Sequence, residues 1–125
     1  MYAERHVVPL STDGAGAATG YTPVVTGRIR TIVYVPDGTS PYDNTVDVTI
    51  TLEATAESVL SKSNVAAAFV AAPRQATHAV DGSASLYAAA GEPAEDYIVA
   101  ASDRVKIVLA QGGATKSGVF HIVVG

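Results

Sequence analysis

The stretch TVDVTITLEAT, residues 45–55, decides the fold. Val46, Val48, Ile50, Leu52 and Ala54 alternate with Asp47, Thr49, Thr51, Glu53 and Thr55. Successive side chains of a pleated strand point to opposite sides, so this alternation predicts a strand with one buried and one wet face. One-sided strands of that kind belong to antiparallel sheets. Upstream, RIRTIVYV (residues 28–35) puts Ile29, Thr31, Val33 and Val35 on one face and Arg28, Arg30, Ile32 and Tyr34 on the other. Pro36-Asp37-Gly38 closes it with strong turn chemistry. Downstream, RVKIVLAQ (residues 104–111) sets Val105, Ile107 and Leu109 against Arg104, Lys106 and Val108. Gly112, Gly113 and Gly118 then lead to VFHIVV (residues 119–124), which reads as its hairpin partner.

Further out the signals thin. Residues 4–10, ending at Pro9-Leu10, read as an edge strand, and STDGAGAATG (residues 11–20) is a turn-rich connector. A second strand is expected from Tyr21 to Val25 and a short one over residues 58–62. NVAAAFVAA (residues 64–72) leaves two readings open: Asn64 suits the cap of an alanine helix, whereas the neighbouring pattern favours a strand. Pro73 stops either one. Asp81-Gly82 is a turn, and residues 86–90 run into a polar loop over 91–96. The expectation is an all-β, single-domain antiparallel β-sandwich, jelly-roll-like or a related barrel, of about seven to nine strands. Residues 1–20 form an N-terminal arm or edge strand with its Gly-rich connector, and residues 21–125 form the sandwich domain.

Composition agrees and narrows the function. The chain has 125 residues, of which 8 are basic and 12 acidic, for a net charge of −4. One core fits this length and two do not. Charged residues make up 16%, well under the roughly 25% usual for soluble domains. The apolar class reaches 48%, which excludes intrinsic disorder. Much of it is alanine (22 residues) and valine (18 residues), so the core is thin and β-branched. No basic stripe exists to neutralise phosphates, so nucleic acid is not an expected partner. The absence of cysteine excludes disulfides, thiolate metal sites and cysteine nucleophiles. No apolar run is long enough to span a bilayer, and Glu4, Arg5 and His6 stand where a signal peptide needs an apolar core. A soluble chain made in a reducing cytosol, with no membrane partner, is expected.

Tests for chemistry come back empty. Gly14, Gly16 and Gly20 are spaced one residue too widely for a dinucleotide fingerprint, and Tyr21-Thr22-Pro23 follows where a helix should begin. His6, His78 and His121 lack metal-ligand spacing. Asp37, Asp43, Asn44 and Asp47 cluster about one loop without the order that wraps calcium. Ser83 and Ser85 have no nucleophile elbow. Glu53, Glu57, Glu92, Glu95 and Asp96 show no sign of the burial that a catalytic carboxylate pair needs. No cofactor and no enzymatic activity are expected. Six tyrosines against two phenylalanines suit either an interface or ordinary sheet and core positions. The candidate interface residues are Tyr2, Arg5, Tyr34, Tyr42, Arg74 and Tyr87.

Five stretches carry a resemblance: GRIRTIVYV (27–35), VDVTITLEAT (46–55), APRQATH (72–78), LYAAAG (86–91) and DRVKIVLAQGG (103–113). Together they resemble a family of small proteins encoded in the structural-gene region of tailed bacteriophages, over most of the chain from about residue 20 onward. The resemblance implies a virion component, foremost a capsid decoration (cement) protein on the head exterior, made in the host bacterial cytoplasm. Its implied partners are the major capsid protein and neighbouring copies in a symmetric homo-oligomer. It supplies no binding residues. A neck or head–tail joining protein, a tail component, and a glycan- or host-binding sandwich module presenting Tyr34, Tyr42 or Tyr87 are the alternatives. In the assembly, residues 1–20 are expected either to contact neighbours as an arm or to form a peripheral strand.

Overall fold

The computed structural model describes residues 2–86, 88 and 91–125. Ten strands are present among them, and no helix. They are β1 (Glu4–Ser11), β2 (Ala18–Tyr21), β3 (Val25–Pro36), β4 (Asp47–Leu52), β5 (Ser58–Lys62), β6 (Phe69–Ala71), β7 (Arg74–Ala76), β8 (Glu95–Asp103), β9 (Val105–Ala110) and β10 (Ser117–Val124). One sheet runs β1-β10-β3-β8-β7, with β6 also paired to β3; the other runs β2-β9-β4-β5. Every pairing is antiparallel. Without the three-residue strands β6 and β7, the orders are 1-10-3-8 and 2-9-4-5. Two interleaved four-stranded sheets in that order are a jelly roll.

The alternating residues that predict the fold do line the core. Val48, Ile50 and Leu52 of β4 face Val105, Ile107 and Leu109 of β9 across their own sheet, and all are buried. From the six-stranded sheet come Val8, Ile29, Ile32, Tyr34, Ile98, Phe120 and Ile122, in one continuous cluster with them. The large aliphatic and aromatic residues of both sheets thus meet in one core between them.

Four expectations are corrected. β9 and β10 are not a hairpin: β9 lies between β2 and β4, and β10 between β1 and β3. The glycines between them carry the chain from one sheet to the other. Gly112 N donates to Gly16 O, Thr12 Oγ1 donates to Gly113 O, and Lys116 N donates to Thr12 Oγ1. This crossing therefore lies alongside the β1–β2 crossing, residues 12–17, and the two loops supply each other's hydrogen bonds. Gly16 turns there at φ +81°, with no room for a Cβ against Gly113 N.

The second correction removes the helix reading of residues 64–72 and keeps the strand reading over residues 69–71. Asn64 caps no helix; it sits at φ 52° and donates its N–H to Asp47 Oδ1, and only residues 69–71 are regular, as β6. Third, no strand begins at Tyr21: it ends β2, and β3 starts at Val25. Fourth, β3 changes parity. Ile29 and Ile32 are both buried although three residues apart, because Val123 pairs with Thr31 and Val124 with Ile29, leaving Arg30 as the extra residue of a bulge. β7 and β8 were not foreseen, and with β6 they take the strand number beyond nine. Residues 1–20 supply β1 and β2, an edge strand of each sheet, and Val8 and Leu10 enter the core.

Candidate functional site

The outer faces of the two sheets differ in kind. On the four-stranded sheet the outward positions are Asp47, Thr49, Thr51 and Ser61, with Thr19, Lys106 and Val108 across from them. Arg104 at its end pairs with Glu53 and lays its guanidinium 4.1 Å from the Tyr21 ring centroid. That surface is ordinary solvated sheet.

The six-stranded sheet turns out valine. Because Val8, Phe120 and Tyr34 point inward, their neighbours point out: Pro9 pairs with Val119 and Val119 with Val35, while Val7, His121, Val33 and Val70 form a row across four strands. Val7 is 53% exposed, Val35 44% and Val70 72%. His121 stands in the middle of the row, with its Nδ1 buried and without a hydrogen-bond partner. A contiguous set of apolar side chains on a strand face, three of them exposed, is the pattern of an interaction surface.

At one end of this face the chemistry becomes basic and aromatic. Beyond the bulge, Arg28 pairs with Val99 and Arg74 with Tyr97. Three guanidinium carbons gather on the Tyr97 ring: Arg74 at 3.9 Å from its centroid, Arg28 at 5.6 Å and Arg30 at 5.6 Å. Arg30 Nε also donates to Gly125 O at 2.8 Å, which fixes one of the three.

The candidate interface residues fall in three groups. Tyr2 is 92% exposed, Arg5 is exposed on β1 opposite Val123, and Arg74 belongs to the arginine corner. Tyr34 and Tyr42 are instead buried. Their rings stack at 5.7 Å, Tyr34 also stacks on Phe120 at 5.1 Å, and Tyr42 Oη donates to Leu10 O at 2.6 Å. Burial pushes both phenols above their ordinary pKa, and for Tyr42 the neighbouring Tyr34 adds to it. These two tyrosines therefore offer no surface to a partner or a glycan. Tyr87 lies outside the described residues.

The other sequence candidates disperse into local roles. His6 points inward on β1, His121 outward on β10, and His78 is exposed in the loop after β7. Asp37 accepts the N–H groups of Ser40 and Thr39, which hold its carboxyl below the usual range. Asp13 does the same for Ala17 and Ala15 in the Gly-rich turn, with the same direction of shift. Ser83 donates to Asp81, again lowering the carboxyl. Among the described residues no three His, Cys, Asp or Glu side chains are grouped to hold a metal.

Sequence reasoning missed the valine face and Tyr97. The signal for the first was present: VFHIVV is apolar at nearly every position, which one buried face does not require. Tyr97 carried no such signal, because its arginines come from β3 and β7.

No protein-family model and no curated protein matches the sequence. Among solved structures the chain is similar to the crystal structure of FlhE, at 7% identity and a TM-score of 0.47 over 99% of this chain and 98% of that one. A likeness at that level bears on neither function nor partner.

Proposed function

We propose that this chain is a non-enzymatic structural protein that docks through the outer face of its six-stranded sheet, and that it does so as a capsid decoration protein on the head of a tailed phage. The observation that carries the docking is the contrast between the two outer faces, one polar and one valine-lined. Valine loses little side-chain entropy on burial, so a flat face of valines adheres at low ordering cost. Many modest contacts repeated by symmetry stabilise a shell through avidity, with no chemistry required. The phage setting comes from the sequence resemblance.

Mass spectrometry of virions purified from the phage whose genome encodes the chain, followed by reconstruction of the particle, tests both parts. The expected result is stoichiometric protein in particles, with density outside the shell and the six-stranded sheet turned toward it. Density at the neck or tail would overturn the decoration role and keep the docking. Absence from particles overturns the virion role altogether.

A further inference from the structure

We infer that the arginine corner around Tyr97 is a carboxylate-binding site, and that the partner docked on the valine face presents an acidic, apolar segment to it. This rests on the docking reading above and names the chemistry of the partner. The chain is acidic overall, at −4, yet Arg5, Arg28, Arg30 and Arg74, four of its five arginines, lie on the outer face of one sheet. Holding three guanidinium groups on one ring costs like-charge repulsion. The Tyr97 π-face offsets part of that, and carboxylates of a partner would offset more at Arg28 and Arg74.

Among the described residues neither Arg28 nor Arg74 has a carboxylate within ion-pair reach. Arg74 gives one N–H to the adjacent Pro73 O, at 2.9 Å. Glu95 lies on β8 two residues before Tyr97, opposite Ala76, and forms no ion pair with either arginine. Asp96 turns its Oδ1 back to the N–H of Tyr97. A planar guanidinium presents paired donors that match a carboxylate, and the Tyr97 ring holds that of Arg74 in place.

Nucleic acid would also be drawn to arginine beside tyrosine. It is disfavoured because the charge does not continue as a track. Next to the corner stand Val99, Thr31, Val123 and the row through Val33, which a phosphate backbone would leave wet. An extended segment alternating acidic and apolar residues satisfies both halves of the face at once.

The test titrates isotope-labelled full-length protein with a blocked Glu-Val alternating peptide, following Tyr97 and the Arg28 and Arg74 Nε–H resonances. Saturable shifts at those groups and along Val33 and Val99 are expected. Arg28→Gln and Arg74→Gln should each weaken binding about tenfold, the loss of one charge-assisted contact. High salt should weaken it further. Unchanged β4 and β9 resonances verify that each variant is folded. The inference is overturned if the shifts fall elsewhere, if a Lys-Val peptide binds equally well, if the glutamine variants bind as the parent does, or if a single-stranded oligonucleotide binds more tightly at the same residues. Particle loading separates this from the docking reading. Arginine variants that neither bind peptide less nor load less, beside a Val7→Glu/Val35→Glu chain that fails to load, sink the carboxylate site and keep the docking. A corner that binds peptide in a chain whose valine variants still load does the reverse.

Discussion

Tyr42 shows how much of the stability rests on single side chains. Its ring lies against Tyr34, its hydroxyl bridges to Leu10 O on β1, and both rings occupy space that Gly118 leaves empty. A Cβ on Gly118 would stand 2.7 Å from Tyr42 Cε2 and 2.9 Å from Tyr34 Cε1. Gly118→Val is therefore expected to destabilise by about 1–3 kcal/mol through overpacking, seen as a lower denaturation midpoint at unchanged slope. Tyr42→Phe should cost about 1–2 kcal/mol at neutral pH, the worth of one buried hydrogen bond. The pH dependence has a definite sign. Both phenols have raised pKa values in the fold, so above tyrosine's ordinary value of about 10 the unfolded chain releases protons that the folded chain keeps. Stability is fully present below that pH and falls as pH climbs beyond it. Denaturant midpoints between pH 9 and 11.5 should fall steeply for the parent and less steeply for Tyr42→Phe; parallel curves would show that Tyr42 ionises as freely in the fold as outside it.

The strands divide into those whose own residues announce them and those made by their neighbours. β4, β5, β9 and β10 were legible because alternation or a dense apolar run is a local property. β7 and β8 were not, since RQA and the start of EDYIVAASD carry no period; β8 forms along the edge that β3 offers, and β7 along β8 in turn. Pairing in space was equally hidden. Nothing in residues 104–124 distinguishes a hairpin from a crossing between sheets, and the loop contacts with Thr12 and Gly16 that decide it come from a hundred residues away. The β3 parity change is the sharpest case. Strict alternation through RIRTIVYV assigns Ile29 and Ile32 to opposite faces, and only the bulge at Arg30 brings both inside. Deletions test this at the scale of the strand. Removing Arg30 leaves Ile29, Ile32 and Tyr34 on the inner face, because two residues there oppose one on β10. Removing Val33 turns Tyr34 outward, since a one-residue slip reverses every side chain beyond it. The Val33 deletion should cost about 3 kcal/mol or more, on the scale of losing a buried aromatic, and the Arg30 deletion clearly less, compared by thermal unfolding. Equal losses would mean that β3 carries no bulge.

For the molecule as a whole, the outward apolar residues acquire a location. They gather on one side: the four-stranded sheet has a polar exterior, and the six-stranded sheet turns valines outward, with arginines at one end. That division could not be read in advance, because a valine in a strand reads the same whether its face meets the core or a partner, and only the register assigns it. It also separates stability from association. Val7 and Val35 are about half exposed, so replacing them removes little buried area, and Val7→Glu/Val35→Glu should change folding stability by no more than about 0.5 kcal/mol per site. The same change places two carboxylates on the docking face, where burial without partners is prohibitive. Loading onto particles should then fall by at least about tenfold, measured by adding purified variant to virions stripped of the protein. Thr49→Glu, on the outer face of the four-stranded sheet, supplies the control: it adds a carboxylate to the other side of the same fold and should load as the parent does. If Thr49→Glu blocks loading and the valine variant does not, the polar sheet is the docking side and valine on the other face serves only the propensity of its strands.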